Sequence, residues 1–288
     1  MIKYIHCNQL DVEKYDACIS NAINSRIYAY SWYLDIVCDD WNVLVKDDYE
    51  AVMPLPIRKK LGISYVYLPP WVQQLGVFSL ERLNESVVES FLKAIPKKFK
   101  LVELKLNSDN QISSKKISER VNYILSLDTD FKSIVTDYNS NRKRILKADF
   151  SKFRIEKKTD PTIFLDFYSK NKLAIELPKD TFDCLKKLVN SKEDAVRIWS
   201  VYFNDKLISS LLWLKDLYRI TYLLPVNNEQ GKKDNASTYL INSLIKEYQN
   251  TGLILDFEGS MIKGVASFYK SFGTKAETYY HFKKYRIF

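Results

Sequence analysis

Histidine is nearly missing from this chain: His6 and His281, at opposite ends of 288 residues, are the only two. With no HxxxH, no HExxH and no cysteine cluster, a metal centre is disfavoured. A Ser-His-Asp arrangement would have to use one of these two, and no GxSxG elbow accompanies them. The four cysteines, Cys7, Cys18, Cys38 and Cys184, form no CxxC pair and are too sparse for a disulfide framework. That usage predicts reduced core thiols in a cytoplasmic protein. The chain has neither GxxxxGK[ST] nor GxGxxG, so ATP and dinucleotide readings lose ground. Long apolar runs are missing too. A run such as Leu211–Leu214 falls far short of the ~20 residues a membrane helix needs, and MIKYIHCNQLDVEKY turns polar too soon for a secretory leader.

What is present is one pattern met twice. Residues 65–76 read YVYLPPWVQQLG and residues 220–231 read ITYLLPVNNEQG. In register they share Tyr67/Tyr222, Leu68/Leu223, Pro70/Pro225 and Gly76/Gly231. A hairpin signal opened by Trp41 or Trp199 precedes each copy. A helical stretch and then a strand follow each, LVELKLN from Leu101 and LILDFEG from Leu253. The shared order predicts a tandem duplication of one α/β unit, with residues 1–128 and 129–288 as the two halves. The length suits two domains.

The net charge of +9 is confined to one of them. Residues 1–128 carry 16 basic and 16 acidic side chains, and residues 129–288 carry 28 and 19. A basic half attracts polyanions: nucleic acid, an anionic membrane face or a phosphate-bearing cofactor such as coenzyme A. A generic solvated lysine-rich surface is the plainer alternative.

Periodicity predicts helices over 11–23 (Asp11 as N-cap), 31–37 and 85–95 in the first half, with strands over 41–45, 51–57, 64–68, 101–106 and 123–127. In the second half it predicts helices over 131–149, 161–171, 179–190, 237–248 and 263–272, the last ended by Gly273 as C′. Strands fall over 153–157, 196–203, 207–214, 219–224, 253–257 and 278–283.

Strand, loop and helix over 219–248 make a place for anionic phosphate. Free N–H groups of a helix opening Ala236-Ser237-Thr238 would point at the ligand, and Lys232 and Lys233 add charge. An ordinary loop with Asn235 or Ser237 as N-cap is the competing reading. Asp256 and Glu258 stand at the C-terminal end of a strand, where ligands gather in open α/β sheets. Either suits a general base or an anchor for an amine; a strand-end turn is the alternative. Tyr269 is a candidate acid, and its spacing in GVASFYKSFG also suits a core position.

The order hairpin, strand, loop, helix, strand, helix, strand in each half resembles the GNAT N-acyltransferase fold. Two fused copies, the NSNRKRILKAD helix opening the second, and DFEGSMIKGVASFYKSFG near the C-terminus resemble its FemAB-like branch, which includes aminoacyl-tRNA-dependent peptidoglycan peptidyltransferases. The resemblance spans nearly the whole chain and is strongest in 219–273. It implies an α/β (α+β) architecture of two GNAT-like domains, each a twisted mixed sheet flanked by helices. It also implies an acyl-CoA (acetyl-CoA) donor held by Gln230, Gly231, Lys232, Lys233, Asn235, Ala236, Ser237 and Thr238, with no metal. The (Q/R)xxGx(G/A) pattern of such proteins is matched only in part: Gln230 and Gly231 stand early, and the middle glycine is out of register.

Acyl transfer to an amine needs a base, donors for the developing oxyanion and an acid for the leaving group. The expected assignment gives these roles to Asp256, Glu258 and Tyr269. Pro69-Pro70 must end or splay the first copy's strand, exposing Tyr30, Trp32, Trp71, Gln73 and Gln74 to a small or envelope-precursor amine in a cleft between the halves. Packing is an equal alternative for the two tryptophans. Transfer from aminoacyl-tRNA is the rival enzyme reading, favoured by Arg142, Lys143, Arg144 and Lys147. A ligand-binding relative without turnover is the rival from another class.

Overall fold

The computed structural model describes residues 1–171, 178–191, 193–259 and 261–286. Its elements run β1 (Ile2–His6), α1 (Val12–Asn21), α2 (Ser31–Val37), β2 (Asp40–Lys46), β3 (Ala51–Lys60), β4 (Ile63–Val66), β5 (Phe78–Ser79), α3 (Glu85–Ala94), β6 (Leu101–Leu106) and β7 (Ile117–Ser126). Then follow α4 (Phe131–Thr136), α5 (Ser140–Ile145), β8 (Phe153–Glu156), α6 (Pro161–Asn171), α7 (Lys179–Val189), β9 (Val196–Phe203), β10 (Lys206–Lys215) and β11 (Arg219–Asn227). The chain closes with α8 (Glu229–Lys233), α9 (Ala236–Tyr248), β12 (Ile254–Asp256), α10 (Lys263–Lys270) and β13 (Lys275–Tyr285).

The chain divides into two compact units, Met1–Val121 with Glu277–Phe288, and Asn122–Ala276. The sequence-based boundary at 128/129 therefore needs two corrections. The second unit begins earlier, and the last strand belongs to the first. The reason is pairing: β13 runs antiparallel to β6 from Tyr280↔Leu106 to Tyr285↔Leu101. In the second unit β7 runs antiparallel to β12, from Ile254↔Ser126 to Asp256↔Ile124. Each unit thus draws one strand from the other half of the sequence.

In the first unit β1, β2, β3 and β4 form an antiparallel meander, and β6 joins β4 in parallel at Val66↔Val102. Helix α3 covers one face. Its Val88, Phe91 and Leu92 pack with Leu55, Ile57, Val66, Val102, Leu104 and Phe282 into a dry core. In the second unit β8, β9, β10 and β11 form the meander and β12 joins β11 in parallel. Helix α9 packs on β9, β10 and β11, burying Leu240, Ile241, Leu244 and Ile245. Both units are mixed sheets flanked by helices, as expected of the fold class.

Local chemistry explains most of the elements. Asp11 caps α1 by accepting from the Lys14 N–H at 3.1 Å. The helix predicted over 131–149 is instead two short ones. Asn139 is extended and accepts the Arg142 N–H at 2.8 Å, so it starts α5 afresh rather than continuing α4. Gly273, at φ 71°, stands three residues past the end of α10, two beyond its cap Ser271 rather than one. Ser260, within the DFEGSMIKG segment, lies outside the described residues.

Candidate active site

The parallel strands β11 and β12 stay paired for three rungs only, Arg219↔Ile254, Ile220↔Leu255 and Thr221↔Asp256. Beyond Thr221, β11 continues to Asn227 against β10 alone. The fork has a local cause. The Ile254 N–H donates to the Tyr218 carbonyl, so the same ladder two rungs on would bring the Glu258 N–H to Tyr222. That N–H donates instead to the Asp256 carboxylate, Oδ1, at 2.8 Å. Glu258 (φ 60°) and Gly259 (φ 69°) then carry the chain off the sheet. The ladder thus ends at Asp256, ahead of both Pro225 on β11 and the Gly259 turn.

Asp256 is 2% exposed. Its second oxygen accepts from Arg219 Nη1 at 2.9 Å, in an ion pair buried on both sides. With one oxygen on Arg219 and the other on a backbone N–H, Asp256 is a strut of the strand end rather than a base open to substrate. Glu258, half-buried at the turn, is the carboxylate left with access. Tyr269 on α10 is buried against Phe257, with ring centroids 5.0 Å apart, and against Tyr222 at 6.1 Å. Burial pushes its hydroxyl well above the ordinary phenol value, and the neighbouring Glu258 charge pushes it further. Tyr222, fully enclosed, is raised for the same first reason. The rings of Tyr222, Phe257 and Tyr269 therefore pack together beside the fork, directly past its last rung.

The predicted phosphate loop is not all loop. Residues 229–233 form α8, started by Asn228, whose side chain accepts the Gly231 N–H at 2.8 Å. Gln230 Nε2 donates to Asp234 at 2.5 Å and Lys232 pairs with Glu229 at 2.6 Å. Lys233 is exposed. A Cβ at Gly231 would lie 2.1 Å from the Ile208 carbonyl oxygen, so this glycine serves the packing of α8 on β10. Gln230, Gly231, Lys232 and Lys233 thus stand on a helical turn that precedes α9 rather than in an open loop.

The residues that do open α9 are Asn235, left-handed at φ 57°, then Ala236, Ser237 and Thr238. The Asn235 side chain makes no capping bond. Ser237 Oγ bonds Asn227 Oδ1 at 2.8 Å.

Sequence reasoning missed the role of Arg142, treating it as part of an exposed basic cluster. It is 4% exposed. Its Nε donates to Ser271 Oγ at 3.0 Å and its Nη1 to Thr238 Oγ1 in the first turn of α9. The guanidinium stacks on Phe268 and Phe272, 4.7 and 4.5 Å from their centroids. No carboxylate pairs with it among the described residues, and burial lowers its pKa. Contacts therefore run from Thr238 through Arg142 and Phe268 to Tyr269, beside Glu258. The signal available in the sequence was spacing: Asn139 as cap puts Arg142 and Ile145 on one inward face, leaving Lys143, Arg144 and Lys147 exposed.

In the first unit, β4 and β6 part after Val66↔Val102 and meet again at Leu75↔Leu106. The excursion between them carries Trp71, left-handed at φ 60°, whose carbonyl accepts from the Tyr33 hydroxyl. Tyr30, Trp32 and Trp71 are half-buried. Gln73 and Gln74 are buried, bonded to each other at 2.7 Å, and Gln74 Oε1 has no partner among the described residues. The pair was expected to line a cleft; it is interior. Asn110 clamps the main chain of Val77, accepting its N–H at 2.6 Å and donating to its carbonyl at 2.9 Å. No group of three or more metal-binding side chains occurs among the described residues.

A meander, a parallel strand that forks from it and a helix opening behind the fork define a GNAT-like unit. No family model matches the sequence, and no curated protein matches it significantly. Solved structures do match. FemX is 11% identical with a TM-score of 0.68, covering 96% of each chain. A conserved protein of unknown function from Bacteroides thetaiotaomicron is 12% identical with a TM-score of 0.65, covering 99% of this chain and 100% of that one. The C-terminal domain of a putative lysylphosphatidylglycerol synthetase from Agrobacterium fabrum is 10% identical with a TM-score of 0.56, covering 95% and 90%. The chain has the FemAB-like GNAT fold.

Proposed function

We propose that the protein is an N-acyltransferase that takes an acyl group from acyl-CoA and delivers it to a small or envelope-precursor amine. The observation that carries this reading is the fork between β11 and β12, with the first turn of α9 behind one strand and Glu258 at the end of the other. The unpaired edge of β11 from Leu223 to Val226 suits an extended pantetheine-like arm. The N–H groups of Ala236 and Ser237 suit phosphate, and Arg142 adds positive charge on Thr238 in the same turn. Glu258 would first take a proton from the acceptor ammonium, freeing the amine whose lone pair forms the N–C bond as the C–S bond breaks, and the second proton lost by that nitrogen would pass to the departing thiolate. Tyr269, held protonated by its burial, would donate a hydrogen bond to the departing sulfur. Asp256 holds the turn that presents Glu258. The test is thermal unfolding with acetyl-CoA and longer acyl-CoAs. A donor at about 100 times its Kd adds ~2.7 kcal/mol, and no shift with any acyl-CoA removes this reading.

Two rivals each have an observation behind them. Exposed Lys143, Arg144 and Lys147 suit an aminoacyl-tRNA donor; that reading requires tRNA binding to weaken steeply with salt. The aromatic rings packed beside the fork suit a binding relative without turnover, which would bind an acyl-CoA yet release no free thiol with any amine.

A further inference from the structure

The turn between β3 and β4 departs from what such turns favour. Leu61 and Gly62 are its central residues, at φ 50° and 80°, inside the closing pair Lys60↔Ile63. The first of these positions favours Asn, Asp or Gly, which tolerate left-handed backbone; a leucine there is strained. It is also 92% exposed, so no burial offsets the strain. Ile63 and Tyr285 are exposed beside it. The three border an apolar cavity of about 470 Å³ whose remaining wall includes Lys60, Lys100 and Arg286. The ammonium of Lys284, on β13 next to Tyr285, is disfavoured first by burial and then by the charges of Arg286 and Lys116. Lys60, Lys116 and Lys284 have no carboxylate partner among the described residues. The Arg286 guanidinium is aimed by the carbonyls of Pro96 and Ile95, at 2.6 and 3.0 Å.

Exposed aliphatic and aromatic side chains ringed by cations mark an interaction surface. Nucleic acid would use the cations but has no use for a protruding leucine. A protein interface is depleted in lysine at its core. We propose that this end of the first unit's sheet docks on an anionic lipid surface, with Leu61, Ile63 and Tyr285 entering the headgroup–acyl boundary and the cations lying over lipid phosphates. The chemistry is that of an interfacial anchor: apolar insertion plus charge attraction. This inference is independent of the transfer reading, since it uses none of its residues.

Co-sedimentation of the full chain with phosphatidylcholine vesicles, with and without phosphatidylglycerol, tests it. The protein should pellet with the anionic vesicles only, and added salt should release it. Leu61→Asn suits the left-handed turn and should keep or raise the melting temperature while weakening vesicle binding roughly tenfold. Lys60→Glu should weaken it by more than about tenfold. Failure to pellet with anionic vesicles overturns the proposal, as does vesicle binding untouched by Leu61→Asn. Bulk tRNA binding that Lys60→Glu abolishes and Leu61→Asn leaves intact would assign the patch to nucleic acid instead.

Discussion

A guanidinium held in a protein interior without a carboxylate is a cost that stability alone does not explain. Replacing Arg142 with Met should therefore leave unfolding free energy unchanged or raise it by about 1 kcal/mol or more, since buried charge is often better replaced by packed hydrocarbon. The same variant should weaken acyl-CoA binding, because it removes the charge at Thr238. A chemical denaturation curve beside a ligand titration separates the two effects. Asp256 and Glu258, two residues apart, should behave oppositely. Asp256→Ala strips Arg219 of its buried carboxylate and should cost about 3–5 kcal/mol of stability. Glu258→Gln should stay within about 1 kcal/mol of the parent while lowering turnover by roughly 10²–10⁴. Loss of stability with Glu258→Gln and none with Asp256→Ala would reverse these roles. The buried tyrosines set a limit on alkaline stability. Burial raises Tyr15, Tyr67, Tyr138, Tyr222 and Tyr269 above the unfolded value of about 10. A group whose folded pKa is raised contributes stability fully below its unfolded pKa and loses it as pH rises through the folded one. Above pH ~10 the unfolded chain binds fewer protons, so stability should fall, and tyrosinate absorbance should appear with unfolding rather than before it. Cys18, buried and pushed up to about 12, should resist thiol reagents until the same transition.

At the scale of elements, the sequence pattern was legible where periodicity and capping chemistry agreed. Helices α1, α2, α3, α6, α7 and α9 and the hairpin β9–β10 fall close to their predicted spans. The aligned pair Tyr67/Tyr222 proved informative. Val66 and Thr221, the residues just before each, are the last paired rungs of their parallel strands, so both forks open at the same aligned position. The aligned glycines did not carry one meaning. Gly76 has φ 103° and a Cβ there would strike Asn110, whereas Gly231 is helical and meets the Ile208 carbonyl. Gly231→Ala should shift α8 from β10 at a cost of about 1–3 kcal/mol, read by thermal unfolding; an unchanged melting temperature would deny that packing role. Missed elements had weak local signals. β1 and β5 are a half-exposed edge strand and a two-residue strand, and α8 depends on one asparagine side chain to start. The candidate site was legible as a strand end with carboxylates and a helix start. The division of labour between Asp256 and Glu258 was not, because it depends on Arg219, thirty-odd residues away in sequence and adjacent only through the parallel ladder.

At the scale of the whole molecule, the repeat in the sequence did not predict where each unit's edge would be closed. Phe282 lies in the first unit's core and β13 completes β6. A chain truncated at Ala276 should therefore lose the first unit's cooperative unfolding, although it removes only the C-terminal strand. Retention of that transition would contradict the assignment. No helix among the described residues is long and apolar enough to cross a membrane. The central claim concerns where an acyl donor binds, and backbone hydrogen exchange with and without saturating acetyl-CoA tests it most directly. The account predicts slowed exchange at the amides of 222–224, 226 and 235–238, with the first unit's excursion from Tyr67 to Gln74 unchanged. Protection confined to that first-unit segment, or no protection along β11 and the start of α9, would contradict it.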